Sequence, residues 1–204
     1  MIVIVDYGLG NVAAFANIYK RLNLPVRAAK TADELRGAAK VILPGVGAFD
    51  QAMSRLEGSG MRGALDDLAA LGTVPVLGVC VGMQMLAASS EEGRLPGLGW
   101  IPGDVCKLDA GAGEARRPLP HMGWNDVEPR ASSGLFQGLD DVSRFYFLHS
   151  YYFRCSQPDD VLAETGYGIR FASAVRRGNV YGVQFHPEKS HRSGVQLLKN
   201  FALL

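Results

Sequence analysis

Continuous apolar runs alternate with helix-periodic segments in the first half of the chain. Residues 2–5 form an uninterrupted apolar run, as expected for a strand buried on both faces. The segment after Asn11 instead repeats apolar residues at helical spacing, and Asn11 can cap its start. Further strands are predicted at 25–28, 41–43 and 73–79, and helices at 51–56, 62–71 and 83–88. This alternation predicts a mostly parallel, doubly wound α/β sheet.

Short strand-like runs without intervening helices fill most of the second half. They lie at 104–108, 124–127, 144–147, 152–154 and 180–185, and a closing helix is predicted around 195–201. The first four runs read as hairpin-linked, so we expect an antiparallel annex to the parallel sheet. Residues 109–120, rich in glycine, alanine and proline, are the predicted flexible loop. No linker divides the chain, which predicts one domain over residues 1–204.

Composition and charge exclude several classes of function. The formal net charge is +1, so no basic excess indicates a nucleic-acid partner. No apolar stretch approaches the roughly 18 residues that a membrane-spanning helix needs. The three cysteines are odd in number and form no CxxC pair, which argues against a disulfide framework and a cysteine metal site. We therefore expect a cytoplasmic protein with no metal and no membrane partner.

Cys80 is the strongest candidate for a catalytic residue. An apolar strand runs into residues 78–82 (GVCVG), the thiol version of the G-x-S-x-G nucleophile elbow. The nucleophile of an elbow sits in a strained turn, so its neighbours two before and two after must lack bulk. The turn also puts the sulfur at a helix N-terminus and points the N–H of Val81 toward a developing oxyanion. A buried core thiol is the competing interpretation, and it is the one we adopt for Cys106 and Cys155.

His186 and Glu188 can complete a catalytic triad with Cys80. A thiol nucleophile needs an imidazole nearby, and His186 follows the predicted strand 180–185. That position is at the C-terminal edge of the sheet, where doubly wound folds bind ligands. Glu188 lies two residues further on and can fix the tautomer of the imidazole. His186 alone would read as a turn residue, but an elbow cysteine at the same edge favours a catalytic base.

A glycine-containing loop follows the predicted strand 41–43. The backbone N–H groups of Gly45, Val46 and Gly47 can complete an oxyanion hole beside Val81. Without Cys80, the same loop would be an ordinary strand-to-helix turn.

Two other classes of protein share part of this pattern. A dinucleotide-binding Rossmann protein would explain the glycines of residues 8–13 (GLGNVA) after the first strand, but not the elbow or the segment 186–188. A cysteine hydrolase of the dienelactone type shares the elbow, but its acid precedes the histidine by many residues. Asp140 is the residue that would take that role here. A binding module remains an alternative if Cys80 is unreactive.

Five segments together resemble the class I glutamine amidotransferases. They are residues 6–11 (DYGLGN), 44–49 (PGVGAF), 78–84 (GVCVGMQ), 120–125 (PHMGWN) and 184–190 (QFHPEKS). The segments at 6–11 and 120–125 are similar to the glutaminase subunits of imidazole glycerol phosphate synthases, from histidine biosynthesis. The likeness covers nearly the whole chain. One departure is Val81, which stands where the family usually has leucine.

The resemblance implies a flavodoxin-like fold and a glutaminase that needs no cofactor. Cys80 would attack the amide of glutamine, His186 would protonate the departing ammonia, and water would release glutamate from a thioester. Gln84 and Glu92 would hold the amino-acid end of glutamine. The ammonia would pass to a cyclase subunit with a (β/α)8-barrel fold, the other half of a heterodimer. That partner would make imidazole glycerol phosphate and aminoimidazole carboxamide ribonucleotide.

The same resemblance implies an interface with the cyclase subunit. The residues at or near it would be Trp124, Asn125, Tyr146 and Lys189. Each has a simpler interpretation, the aromatic side chains as core or rim residues and Lys189 as a solvated cation. The loop 44–47 resembles an oxyanion strand whose peptide reorients before catalysis, so the isolated subunit is expected to be nearly idle.

Overall fold

Twelve strands and five α-helices form a mixed sheet with helices packed against it in the computed structural model, which describes residues 1–109, 111, 117–130, 133–140 and 142–204. The first six strands are β1 (Ile2–Val5), β2 (Val26–Ala29), β3 (Lys40–Gly45), β4 (Val76–Cys80), β5 (Ser89–Ser90) and β6 (Gly103–Lys107). The others are β7 (His121–Pro129), β8 (Ser143–His149), β9 (Tyr151–Cys155), β10 (Val161–Tyr167), β11 (Ile169–Arg177) and β12 (Val180–Val183). The helices are α1 (Val12–Arg21), α2 (Phe49–Gly58), α3 (Arg62–Leu71), α4 (Val81–Gln84) and α5 (His191–Leu203).

Five parallel strands in the order β2-β1-β3-β4-β12 form one half of the sheet. Every residue of β1, β4 and β12 is buried, which is why these strands read as continuous apolar runs. The predicted α/β fold is therefore confirmed. The predicted end of β3 is wrong, since β3 continues through Pro44 and Gly45 to pair with Cys80 on β4.

An antiparallel half continues the sheet from β12 through β11, β10, β7 and β8. The sequence pattern predicts neither β10 nor β11. The middle of β11, from Phe171 to Val175, is buried on both faces and does not alternate, and β10 contains alanine, glutamate and glycine. Nor do β8 and β9 form the expected hairpin, because β8 pairs with β7 while β9 pairs with β6 and β11.

The helices differ from their predicted bounds most after the elbow. The helix expected at residues 83–88 is α4, which starts at Val81 and ends at Gln84. The chain then turns away because the Ala88 amide donates to the carbonyl of Gly103 at 2.9 Å. At the start of α1, Asn11 holds the N-cap position, but its side chain makes no capping hydrogen bond. No helix of the described residues has the length and apolarity to cross a membrane. The predicted loop 109–120 includes residues 110 and 112–116, which lie outside the described residues.

Candidate active site

The turn at Cys80 has the backbone geometry of a nucleophile elbow. Cys80 joins β4 to α4 with φ +56° and ψ −115°, a conformation that non-glycine residues rarely adopt. A Cβ on Gly78 would lie 2.5 Å from the carbonyl oxygen of Gly82, and one on Gly82 would lie 2.0 Å from that of Leu43. Gly78 therefore permits the tight turn itself and Gly82 permits its close approach to β3, so both positions must lack a side chain, as the sequence pattern predicts.

His186 and Glu188 meet beside this turn. His186 follows β12, and Glu188 lies in a short helical turn over Pro187–Lys189. The imidazole Nδ1–H donates to Glu188 Oε1 at 2.9 Å, which leaves Nε2 to exchange a proton with Cys80. Burial alone would lower the pKa of His186, but hydrogen bonds to Cys80 and Glu188, together with their charges, outweigh it and raise the pKa to about 10. The imidazolium form is thus favoured at neutral pH.

A pocket of about 370 Å³ opens above the triad. Its walls include Cys80, His186, the loop residues Val46 and Gly47, and the segment 148–151. Val81 also lines it, so three of the four predicted oxyanion-hole residues face the pocket.

Gly45 lies behind that wall and does not line the pocket. A Cβ on it would come within 2.4 Å of the Gly82 nitrogen, so Gly45 allows β3 to pack against the elbow. Its predicted place in the oxyanion hole is therefore better described as support for Val46 and Gly47.

Gln84 and Glu92, the predicted substrate residues, both line the pocket. Gln84 Nε2 donates to the carbonyl of Tyr151 at 2.9 Å and to Gln184 Oε1 at 3.0 Å. Gln184 in turn places its Nε2 3.9 Å from the Cys80 sulfur and is completely buried. Sequence reasoning quotes Gln184 within a motif but gives it no role, because one polar residue at a strand end carries no local signal of its contacts.

Two acidic side chains join the Glu92 loop to the start of α2. Glu92 Oε2 accepts from the Phe49 amide at 2.9 Å, and Asp50 accepts from the amides of Arg94 and Leu95 at 2.9–3.0 Å. Since Phe49 closely follows the loop 44–47, this reciprocal clamp fixes the spacing between that loop and Glu92. Sequence reasoning missed Asp50.

Tyr7 anchors the loop 44–47 from the opposite side. Its hydroxyl donates to the carbonyl of Pro44 at 2.8 Å, and burial raises its pKa well above the ordinary value. A Cβ on Gly10 would lie 2.6 Å from the Cβ of Pro44. Gly10, one of the two glycines that suggested a dinucleotide site, therefore serves the packing of residues 6–11 against this loop.

The four predicted interface residues lie on or next to the β7–β8 ladder. Trp124 stacks on His191 at 5.1 Å, and Lys189 Nζ lies 5.6 Å from the ring centre of Tyr146. Asn125 differs from the other three, because its amide nitrogen is directed to His121 and Gly166 at 3.1 and 3.0 Å. Asp140, the acid of the hydrolase alternative, is exposed and does not line the pocket.

Comparisons with known proteins agree with this geometry. Residues 3–204 match the family profile "Glutamine amidotransferase class-I", so the chain belongs to that family of enzymes. A solved glutamine amidotransferase superposes with a TM-score of 0.76 at 20% identity over 99% of this chain and 100% of that chain, which shows the shared fold.

Within that class, two relatives carry the name "Imidazole glycerol phosphate synthase subunit HisH". One, from Bdellovibrio bacteriovorus, is 63% identical over 99% of both chains. The other, from Leptospira borgpetersenii, is 51% identical over 100% of both chains. The chain therefore belongs to the family of these HisH subunits.

Proposed function

We propose that this chain is the glutaminase subunit of an imidazole glycerol phosphate synthase in histidine biosynthesis. The observation that carries the proposal is the buried His186–Glu188 pair, which shares its pocket with the elbow residue Cys80, in a chain that belongs to the HisH family. The same contact argues against a hydrolase with Asp140 as its acid, because Glu188 occupies the Nδ1 side of the imidazole.

The reaction begins with attack of the Cys80 sulfur on the side-chain amide carbon of glutamine. The C–S bond forms as the carbonyl π electrons move to oxygen, and backbone N–H groups of Val81 and the loop 46–47 stabilise the oxyanion. The C–N bond then breaks, and the nitrogen takes the proton of the His186 imidazolium and leaves as ammonia. Water, deprotonated by His186, cleaves the thioester to glutamate and restores the thiol.

The amino-acid end of glutamine fits the wall formed by Gln84, Glu92 and the segment 148–151. Both hydrogens on Gln84 Nε2 are used within the protein, so its Oε1 is the atom left for a ligand. One oxygen of Glu92 is likewise free of its bond to Phe49. Two acceptors side by side suit the α-ammonium group, and they match the role that the resemblance gives these residues.

The partner would be a cyclase subunit with a (β/α)8-barrel fold, bound as a heterodimer in the cytoplasm. An apolar face beside the pocket supports this proposal. Met122, Trp124 and Leu148 are 65%, 39% and 39% exposed, and their side chains lie on the same face of β7 and β8. Exposed apolar side chains clustered at the mouth of a site are typical of an interface. A docked partner there would receive ammonia without release to solvent.

Replacement of Cys80 by serine tests the function. In the complex with the cyclase subunit, the Cys80→Ser variant should lose glutamine-dependent synthesis by at least a thousandfold, because serine lacks a thiolate. Ammonium salt at high concentration should still support synthesis by the same complex. Loss of both activities would mean that Cys80 is structural, and retention of glutamine-dependent synthesis would exclude it as the nucleophile. The wild-type chain without the cyclase subunit should hydrolyse glutamine only weakly.

A further inference from the structure

A chain of hydrogen bonds between Asn125, His121 and His149 connects strand β7 to the wall of the pocket. We propose that Asn125 and His121 are positioning residues, which hold His149 and the wall segment 148–151 in the arrangement that binds glutamine. The proposal rests on the proposed function and deepens it, because it assigns a role to two buried histidines that the triad chemistry does not use.

The donor and the acceptor of every hydrogen bond in this network follow from the groups at its two ends, the carbonyl of Tyr151 and the amide of Asn125. His149 Nδ1 lies 2.9 Å from the carbonyl oxygen of Tyr151, which can only accept, so Nδ1 carries the proton. His149 Nε2 is then an acceptor, and His121 Nδ1, 2.9 Å away, must donate to it. His121 Nε2 accepts in turn from Asn125 Nδ2 at 3.1 Å.

The orientation of the Asn125 amide is fixed as well. Its Nδ2 donates to the carbonyl of Gly166 at 3.0 Å, and its Oδ1 accepts from the Asp126 amide at 2.8 Å. A flipped amide would place like groups against like at both contacts. Asn125 therefore specifies the tautomer of His121, and His121 specifies that of His149.

Both ring nitrogens of His149 are occupied, so it cannot act as a second general base for Cys80. The surroundings of His149 favour the neutral imidazole that this network of hydrogen bonds requires. Burial is the main reason that the pKa of His149 is lowered to about 3, and the nearby His186 imidazolium adds to it. Burial also lowers the pKa of His121 to about 4.

Aromatic side chains keep the His121 ring from turning. It stacks between Phe147, at 4.7 Å, and Tyr167, at 4.0 Å between ring centres. A ring held on both faces, with each nitrogen bonded, has one orientation. Such fully satisfied buried networks are rigid and specify one arrangement of the groups they join.

The wall segment that His149 holds touches the reacting groups at two points. The carbonyl of Leu148 lies 3.9 Å from the Cys80 sulfur. The carbonyl of Tyr151 accepts from both His149 Nδ1 and Gln84 Nε2, at 2.9 Å each. A displaced His149 would therefore move one carbonyl beside the nucleophile and another that orients a substrate residue.

A pair of variants at His121 separates positioning from simple packing. His121→Leu removes the donor to His149, whereas His121→Asn can place an amide N–H where Nδ1 stands. In the complex with the cyclase subunit, we expect His121→Leu to raise the KM for glutamine on the order of tenfold with a smaller change in kcat. His121→Asn should recover most of that loss, and ammonia-dependent synthesis should stay unchanged in both. An unchanged KM in His121→Leu, or equal defects in the two variants, would overturn the proposal.

The wild-type chain alone provides a second test that needs no activity and no variant. Its ¹⁵N imidazole resonances should show the Nδ1–H tautomer for His121 and His149, with no titration between about pH 5.5 and 8. An Nε2–H tautomer at either residue, or titration near the ordinary histidine pKa, would overturn the proposal. A wild-type complex that fails to hydrolyse glutamine would instead refute the proposed function and leave the tautomer measurement intact.

Discussion

The two halves of the sheet have different roles, and their strands differ in the pattern of buried and exposed residues. In the parallel half, β4 and β12 are buried throughout and deliver Cys80 and His186 to one edge. In the antiparallel half, β7 and β8 alternate buried and exposed residues, with His121 and Phe147 inside and Met122 and Leu148 outside. The first half thus fixes the reacting groups, while the second supplies the wall segment 148–151 and, on its outer face, the proposed docking surface.

This difference also explains why His149 is not a second catalytic histidine. His186 and His149 both line the pocket, but His186 is paired with a carboxylate and His149 with a carbonyl and a neutral imidazole. The pKa of His186 is raised and that of His149 is lowered as a result. Two histidines in one pocket therefore take opposite protonation states because the two halves of the sheet supply opposite partners.

The largest effect is expected for Glu188, the carboxylate that pairs with His186 beside the parallel half. Glu188→Gln should lower kcat/KM for glutamine in the complex by roughly a hundredfold to ten-thousandfold, because the amide cannot stabilise the imidazolium of His186. Asp140→Ala is the matched control and should change kcat/KM by less than about twofold. A large loss in Asp140→Ala with little change in Glu188→Gln would favour the hydrolase alternative.

A smaller effect is expected on the outer face of the antiparallel half. Trp124→Ala should weaken binding of the cyclase subunit roughly 10- to 100-fold, since a truncated aromatic anchor loses most of its buried contact area. Leu71→Ala, at an exposed apolar residue at the end of α3, is the control and should leave the affinity unchanged. Calorimetric titration of each variant with the cyclase subunit measures the dissociation constant. Equal affinities for wild type and Trp124→Ala would place the interface elsewhere.

The triad and the parallel half were accessible to sequence reasoning because the signals are local. An apolar run, two glycines around a cysteine and a histidine after a strand are all read within a few residues. Strands β10 and β11 were missed because β11 is buried on both faces in its middle and does not alternate. The contacts of Gln184 with Cys80 and of His121 with His149 join residues 104 and 28 positions apart, so no local pattern encodes them.

The smallest effect is expected for His121, on the inner face of the antiparallel half. It is a dependence of the free energy of unfolding on pH. Because the pKa of His121 is lower in the folded chain than its ordinary 6.5, the unfolded chain binds more protons between pH 6.5 and about 4. The free energy of unfolding should therefore fall as the pH drops through this window. The pKa of His186 is shifted in the opposite direction. Its contribution to the free energy of unfolding is therefore lost as the pH rises from 6.5 toward about 10.

His121→Asn isolates this contribution, because it keeps a donor but cannot take up a proton. Between pH 6.5 and about 4, the free energy of unfolding of wild type should therefore fall more steeply than that of the variant. Urea unfolding of both proteins across this range measures the difference. Parallel pH profiles would show that His121 titrates normally in the folded chain.

The central claim is that ammonia made at Cys80 reaches the partner across the antiparallel half without entering solvent. Its most direct test is an isotope competition in the complex of this chain with the cyclase subunit. The substrate is glutamine labelled with ¹⁵N in the side-chain amide, and unlabelled ammonium is added in large excess. The account predicts that the imidazole product keeps nearly all of the ¹⁵N label. A label diluted to the ratio of the bulk ammonium would contradict it.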